Sequence, residues 1–168
     1  MINKNYDILI VGGGAAGFFS AINTAQKNPK LKIGILERGS NVLSKVRISG
    51  GGRCNVTHAE FEPKPLTSNY PRGQKELLGP FHAFMTGDTM QWFEDRGVRL
   101  KIEEDGRVFP ESNSAQTIID CFKSEADKYN IDVLLNHSVQ NIITSNKRWE
   151  LATPKGTFSA EKILIATG

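Results

Sequence analysis

A glycine-rich stretch near the start of the chain has the spacing that dinucleotide-binding turns require. Gly12, Gly14 and Gly17 fit the pattern G-x-G-x-x-G. In such a turn the first glycine permits a tight bend, the second lets a pyrophosphate approach the backbone, and the third lets a helix pack closely on a strand. The free N–H groups at the start of that helix would bind phosphate oxygens. The predicted contacts are Gly12, Gly13, Gly14, Ala15, Ala16 and Gly17.

An acidic residue stands where a ribose would have to be recognised. Glu37 ends an apolar stretch about 20 residues after Gly17, and Arg38 follows it. A carboxylate at this place can accept hydrogen bonds from the diol of an adenosine ribose, and it would repel a 2′-phosphate. We therefore include Glu37 and Arg38 in an adenosine site. The alternative is a glycine-rich turn beside an unrelated surface glutamate.

Short apolar stretches predict the sheet that must position these residues. Continuous apolar runs bounded by turn residues are typical of strands buried on both faces, as in a parallel sheet. The glycine turn and the helix after it join the first two strands into a βαβ unit. The predicted strands are Ile8–Val11, Lys32–Glu37, Asp132–Leu135 and Lys162–Ala166. The predicted helices are Ala15–Lys27, Gln74–Arg96 with breaks near Gly79-Pro80 and Gly87-Asp88, and Ser114–Tyr129.

Two smaller β features complete the expected three-layer α/β fold. A hairpin over residues 98–110 would form a small accessory region within one domain of residues 1–168. Three further strands, separated by the turns Ser145-Asn146-Lys147 and Pro154-Lys155-Gly156, predict a β-meander on one face of the sheet, with helices on the other. The predicted meander strands are Val139–Thr144, Arg148–Thr153 and Thr157–Ala160.

Composition excludes several classes of protein. The chain has 168 residues and a formal net charge of +3, which argues against nucleic acid or a membrane surface as a partner and leaves a small-molecule substrate. Cys54 and Cys121 lie too far apart in sequence for a CxxC pair, and the three histidines show no metal-ligand spacing. The N-terminus lacks the features of a signal peptide, so we expect a cytoplasmic protein without a metal site. Nothing in the sequence predicts the oligomeric state.

The C-terminal third favours FAD over NAD as the dinucleotide. A meander followed by an apolar strand and Ala166-Thr167-Gly168 resembles the FAD domain of the glutathione-reductase-like flavoproteins. The resemblance implies that Val139 lies near the adenine and that the Thr167-Gly168 turn approaches the cofactor. An NAD-binding domain without flavin, or a nucleotide-binding scaffold without turnover, is the alternative.

A basic loop carries the most specific sequence string of the chain. No acidic residue occurs between Ser40 and Ala59, and consecutive glycines there can aim backbone N–H groups into one concavity. A flexible, solvated loop is the alternative. The residues that we expect along the pyrophosphate and the flavin are Lys45, Gly50, Gly51, Gly52 and Asn55.

The string Lys45–Thr57 resembles the signature of a bacterial family of NAD(P)/FAD-dependent oxidoreductases, described as aminoacetone-oxidase-like, that also includes bile-acid reductases. Gly106-Arg107-Val108-Phe109-Pro110 and Ala166-Thr167-Gly168 extend the resemblance over essentially the whole chain. It implies hydride transfer through the flavin, with NAD(P)H as a transient reductant. Family members are about twice as long or longer, so we expect the chain to be an N-terminal portion and name no catalytic residue.

Overall fold

The computed structural model describes residues 2–168, with side chains from residue 4 onward. The chain divides into two compact units. The first comprises the chain up to Val46 and again from Phe122 onward, and the second comprises Arg47–Cys121. Helix α6 (Ala115–Lys128) runs from the second unit into the first. The predicted glycine motif and Glu37 lie in the first unit, and the predicted hairpin lies in the second.

The first unit is built on a mixed, six-stranded sheet. Its strand order is β6-β2-β1-β9-β8-β7. The four strands β6, β2, β1 and β9 run parallel, whereas β8 and β7 continue the sheet antiparallel. The bounds are β1 (Ile2–Val11), β2 (Ile33–Leu36), β6 (Asp132–Leu134), β7 (Asn141–Ser145), β8 (Arg148–Thr153) and β9 (Gly156–Ile165). The predicted α/β fold with a mainly parallel sheet and a β-meander is confirmed, but the meander extends one edge of this sheet, whereas the sequence predicted it on one face.

One strand assignment was wrong. The sequence predicted separate strands Thr157–Ala160 and Lys162–Ala166, but β9 runs without a break from Gly156 to Ile165. No turn residue separates the two stretches, and β1 starts early enough to pair with both of them. The last strand of the meander is therefore the first half of the closing strand, and the meander is hydrogen-bonded directly into the main sheet.

Apolar side chains from both halves of this sheet share one core. Tyr6, Leu9 and Val11 of β1 form a buried cluster with residues of the meander, among them Leu151 and Phe158. Helix α1 (Ala15–Lys27), whose bounds match the prediction, also contributes buried side chains to the first unit. These are Phe18, Ala21, Ile22 and Ala25. The small residues of α1 allow it to lie close to the strands.

The second unit has a small antiparallel sheet, with strand order β3-β5-β4. The predicted hairpin is confirmed as β4 (Leu100–Ile102) and β5 (Arg107–Pro110), and β3 (Thr57–His58) pairs with β5. Residues 39–73, which include the predicted basic loop, contain short helices besides β3. These are α2 (Ser44–Ile48), a 3-10 turn (Ser49–Gly52) and α3 (Pro63–Ser68).

The helix predicted over Gln74–Arg96 breaks once, between Ala83 and Thr86, close to the second of the two expected places and not at the first. Helix α4 (Gln74–Ala83) continues through Gly79-Pro80, and α5 (Thr86–Glu94) begins two residues before Asp88. The Asp88 carboxylate accepts a hydrogen bond from the Met85 amide at 2.9 Å, which favours a helix start there. A local capping contact, and not the proline, therefore sets the boundary.

Strand β9 is covered unequally along its length. On one side β8 pairs with it only from Gly156 to Ala160, whereas β1 continues to pair with it as far as Ile165 on the other. Leu164 and Ile165 are 39% and 54% exposed, although the sequence predicted a buried strand here. The stretch from Glu161 to Ile165 thus has one neighbouring strand among the described residues. None of the described helices is long and apolar enough to cross a membrane.

Candidate nucleotide-binding site

The glycine turn at the end of β1 is closely packed on two sides. Gly12 has φ +117°, and a Cβ placed on it would collide with the carbonyl oxygen of Ala166. A Cβ on Gly17 would collide with the carbonyl oxygen of Gly12. On Gly13 it would lie 2.8 Å from a methyl group of Val42. These three positions therefore require glycine for packing alone, including Gly13, which the motif leaves free.

Gly14 differs from its neighbours because the space beside it is open. A Cβ placed there would meet no atom within 4 Å, and its φ of −86° is accessible to any residue. Gly14 is also the N-cap of α1, where no side chain caps the helix and no acidic residue occupies the first turn. Ala15 and Ala16 follow it and are exposed. The uncapped N-terminus of a 13-residue helix thus faces open space, which suits an anionic group.

Glu37 connects the glycine turn to the turn after β2. One carboxylate oxygen, Oε2, accepts a hydrogen bond from the Gly13 amide at 2.8 Å, and the other, Oε1, accepts one from the Gly39 amide at 2.7 Å. Each carboxylate oxygen has a second lone pair. Glu37 can therefore hold both turns and still accept hydrogen bonds from two hydroxyl groups.

The backbone of Glu37 also holds the turn between β6 and β7. Its N–H donates to Leu134 at 2.9 Å, and its carbonyl accepts a hydrogen bond from the His137 amide at 2.8 Å. The His137 ring nitrogen Nδ1 lies 2.7 Å from the Leu135 carbonyl, which tightens the same turn. Val139 follows, partly buried, with its side chain packed against the core cluster. This packing leaves the backbone of Val139, rather than its side chain, as the group that could meet an adenine.

The C-terminal turn lies beside the glycine turn. The Ala166 amide donates to the Val11 carbonyl at 2.8 Å, which brings Thr167 and Gly168 next to Gly12. A Cβ placed on Gly168 would lie 3.5 Å from the ammonium nitrogen of Lys45. The first unit therefore brings the glycine turn, Glu37, Lys45 and the Thr167-Gly168 turn together. Arg38 is exposed next to Glu37.

The glycine loop in the second unit has left-handed backbone at several positions. Gly50, Gly51 and Gly52 have φ of 56°, 67° and 86°. A Cβ on Gly50 would lie 2.7 Å from the Phe109 ring, whereas on Gly51 or Gly52 it would meet nothing within 4 Å. Gly50 is thus a packing residue, while Gly51 and Gly52 present open backbone. Asn55 is exposed in the same loop.

Cys54 ends this loop in a conformation that is unusual for a residue other than glycine. Its φ is +63°, and its side chain is buried. Burial raises the pKa of the thiol, and a hydrogen bond with the Ser49 side chain only partly opposes this. Since the thiolate is the reactive form, the environment disfavours a nucleophilic role.

Sequence reasoning missed the residues that support Glu37. Gly39 binds the carboxylate through its amide, and His137 holds the adjacent turn through its own. A glycine two residues after the acidic residue was the available signal, because a short turn there returns an N–H to the carboxylate. His137 offered no signal, because its backbone makes the contact.

The amino-acid sequence of this chain matches one known family of proteins. The family model described as the HI0933-like protein Rossmann domain matches residues 6–168. The chain belongs to the HI0933-like family. Its glycine turn, its mixed sheet and its closing strand are thus the Rossmann domain of that family.

Curated relatives of this HI0933-like chain include enzymes with two kinds of substrate. The chain is 29% identical to a ribosomal RNA dihydrouridine synthase of Escherichia coli over 165 residues, which are 98% of the chain and 40% of the relative. It is 25% identical to a 3-dehydro-bile acid delta(4,6)-reductase of Clostridium scindens over 159 residues, which are 95% of the chain and 38% of the relative. The chain spans about 40% of the length of these relatives.

Solved structures share the fold. A 3-ketosteroid-delta4-(5alpha)-dehydrogenase from Rhodococcus jostii superposes with a TM-score of 0.75 at 13% identity, covering 100% of this chain and 47% of the other. A flavocytochrome c3 fumarate reductase superposes with a TM-score of 0.70 at 20% identity, covering 99% of this chain and 34% of the other. These neighbours are named as a dehydrogenase and a reductase, and the HI0933-like chain has the α/β fold of an FAD-binding Rossmann domain.

Proposed function

We propose that the first unit binds the adenosine and pyrophosphate part of FAD in a flavoprotein oxidoreductase. The observation that carries this proposal is the position of the Glu37 carboxylate, 2.8 Å from the Gly13 amide of the glycine turn. A ribose diol bound there would place its adjoining phosphates towards the open face of Gly14 and the start of α1. Glu37 and then Gly14 with the start of α1 would thus meet the ribose and then the pyrophosphate, in the order in which these groups occur in FAD.

The residues present fit the cofactor. The open space beside Gly14 accommodates a pyrophosphate close to the backbone, and the uncapped helix N-terminus supplies N–H donors of positive potential. Glu37 has spare lone pairs for the two ribose hydroxyls and disfavours a 2′-phosphate by charge repulsion. When bound, the flavin would accept and donate hydride. The chain itself binds and orients the cofactor.

We further propose that Lys45, Gly51, Gly52 and Asn55 contact the remainder of the FAD. Lys45 is exposed in the first unit next to the Thr167-Gly168 turn, and its charge suits a phosphate. A Cβ on Gly51 or Gly52 in the second unit would meet no described atom within 4 Å, which leaves room for a ligand beside their backbone. Gly50 and Val139 were also expected to contact the cofactor. Packing of Gly50 on Phe109, and of the Val139 side chain on the core, restricts both residues to backbone contacts.

For the whole protein we propose reduction of a carbon–carbon double bond conjugated to a carbonyl, with NAD(P)H as the reductant. The names of both kinds of relative support this chemistry. A delta(4,6)-reductase acting on a 3-dehydro bile acid and a dihydrouridine synthase each add hydrogen across such a bond. The sequence predicted a small-molecule substrate and no nucleic acid. The relatives named for ribosomal RNA make uridine in RNA the second candidate.

Spectroscopy of the purified protein tests the cofactor and the reductant. We expect visible flavin absorption that is bleached on anaerobic addition of NADH or NADPH. Colourless protein that binds NAD but takes up no FAD would support the NAD-binding alternative instead. A flavin that neither nucleotide reduces would support a scaffold without turnover. We also propose a cytoplasmic location, which cell fractionation would test.

Substrate assays then separate the two candidate substrates. Reduced protein is mixed with a conjugated 3-oxo steroid in one assay and with ribosomal RNA from a strain lacking the enzyme in another. Reoxidation of the flavin by the steroid alone would support the small-molecule prediction. Dihydrouridine formation in the RNA would overturn it in favour of the second candidate.

A further inference from the structure

The ring of Phe109 in β5 is the contact point for the glycine loop within the second unit. Phe109 is fully buried. The left-handed Gly50 lies against the edge of its ring, so that an added Cβ would stand 2.7 Å from Cε1. The guanidinium of Arg53 stacks over the same ring, with its Cζ 3.9 Å from the centroid. Gly50 and Arg53 of the loop therefore both pack against the buried ring of Phe109.

Arg53 is also paired with the hairpin that carries Phe109. Its Nη1 lies 2.6 Å from Oε1 of Glu103, a residue in the turn between β4 and β5. Lys101 and Arg107 stand at 4.0 Å from the same carboxylate, so Arg53 is its closest cationic partner. Both side chains are about two-thirds buried, with exposed fractions of 32% and 27%. A planar guanidinium can stack on a ring and pair with a carboxylate at the same time, which the ammonium of lysine does less well.

These contacts leave a projecting turn between two anchored residues. Gly50 and Arg53 are fixed on Phe109, whereas Gly51 and Gly52 have no atom near their open side. The Cys54 amide closes the loop by donating to the Ser49 carbonyl at 3.0 Å. Consecutive glycines lose much conformational entropy when they are ordered, so a loop without such anchors would sample many conformations.

We propose that Arg53 is a positioning residue that holds the backbone of Gly51 and Gly52 in the conformation that receives the cofactor. This inference rests on the proposed function, because it assumes that the open glycines contact FAD. Arg53 acts through the loop and does not need to touch the cofactor. Holding the loop in place before binding reduces the ordering cost that the cofactor would otherwise meet.

The test compares Arg53→Lys and Arg53→Met with Arg107→Lys as the matched control. Arg107 lies farther from the same ring, at 5.3 Å, and pairs with Asp105 on the surface. Hydrogen exchange of the amides of residues 51–55, measured without FAD, should accelerate in the order wild type, Arg53→Lys, Arg53→Met. The FAD dissociation constant should rise by roughly five- to thirtyfold in Arg53→Met, as expected if binding must order the backbone of about one additional residue. The control should change neither quantity.

Two further measurements keep the outcomes separate. Glu103→Gln weakens the ion pair without replacing a residue of the loop. It should give the same changes in exchange and FAD affinity in smaller degree, and it does so even if Arg53→Met folds poorly. The visible circular dichroism of bound flavin should change in the Arg53 variants while the unfolding temperature changes little.

Unchanged hydrogen exchange in both Arg53 variants would overturn the proposal that Arg53 holds the loop in place. Faster exchange with unchanged FAD affinity would overturn the positioning role. Failure of the wild type to bind FAD would reject the proposed function. The exchange data would still show whether Arg53 holds the loop in place.

Discussion

Glu37 accepts a hydrogen bond from the amide of Gly13 at 2.8 Å, although 24 residues separate the two in sequence. The contact joins the turn at the end of β1 to the turn at the end of β2. A second bond, from the Gly39 amide at 2.7 Å, fixes the other carboxylate oxygen. Glu37, which is expected to recognise a ribose, therefore also holds the two turns of the site in place.

Replacing Glu37 by Gln should weaken both the fold and the binding of FAD. A Gln side chain has one acceptor oxygen, so its NH₂ group would face one of the two amide donors. Loss of this hydrogen bond should lower the free energy of unfolding by about 1–2 kcal/mol, as measured by urea titration. The FAD dissociation constant from fluorescence titration should rise, while Glu150→Gln serves as a control on β8. FAD affinity equal to wild type would contradict the ribose assignment.

Alanine substitutions at Gly14 and Gly17 should separate packing from binding. Gly17→Ala would drive a methyl group into the Gly12 carbonyl, so the free energy of unfolding should fall by several kcal/mol. Gly14→Ala has open space and an ordinary φ, so the loss of stability should be limited to about 0.5–1 kcal/mol, the usual difference between glycine and alanine at a helix N-cap. If a pyrophosphate lies against Gly14, FAD affinity should nevertheless fall. A Gly14→Ala variant with full affinity would place the pyrophosphate elsewhere.

Removal of the Asp132 carboxylate should change the response of the protein to acid. Burial works against ionisation of Asp132, but the hydrogen bond from the Tyr6 hydroxyl at 2.6 Å and the nearby Lys4 together lower its pKa. A lowered folded-state pKa contributes stability above the unfolded value of about 3.9, and this contribution is lost as pH falls through the folded value. Asp132→Asn should therefore be less stable at neutral pH and show a shallower loss of stability below about pH 4, measured by chemical denaturation.

The control for Asp132 is Asp127→Asn, at an exposed position of α6. It should leave both the neutral stability and the acid slope near those of wild type. Parallel acid slopes for Asp132→Asn and wild type would show that Asp132 is not held in its ionised form by Tyr6 and Lys4.

Cys54 should react slowly with alkylating reagents in the native protein. The thiol is 5% exposed, and burial raises its pKa, so little thiolate is available at neutral pH. Iodoacetamide labelling followed by mass spectrometry should be slower than in urea by on the order of tenfold or more. Rapid native labelling of Cys54 would contradict the conclusion that its environment disfavours a nucleophilic role. Cys121, also buried, provides an internal comparison.

Local patterns predicted the parts of the fold that depend on nearby residues. The bounds of α1 follow from the glycine turn before it and Asn28-Pro29 after it, and those of β8 follow from its two flanking turns. The glycine motif and Glu37 were located by spacing alone. These features depend on interactions within a few residues or on one βαβ unit.

Features that depend on distant partners were not predicted. Nothing local shows that β9 is continuous, because its continuity comes from pairing with β1 along its whole length. The sequence likewise presents Gly50, Gly51 and Gly52 as equivalent, whereas Phe109 distinguishes the first from the other two. The role of Arg53 depends on the same ring and on Glu103, which lies 50 residues farther along the chain. Such contacts become visible only once the hairpin is placed.

The unequal covering of β9 has a consequence for how this polypeptide behaves at high concentration. Beyond Ala160 the strand offers an open row of peptide groups among the described residues, and Leu164 and Ile165 beside that row are partly exposed. Exposed strand edges act as templates for further strands, whether these belong to the same polypeptide or to another copy. During expression and storage, the stretch from Glu161 to Ile165 is therefore where we expect intermolecular β-pairing to begin. A charged residue at position 164 would be the simplest means of improving solubility.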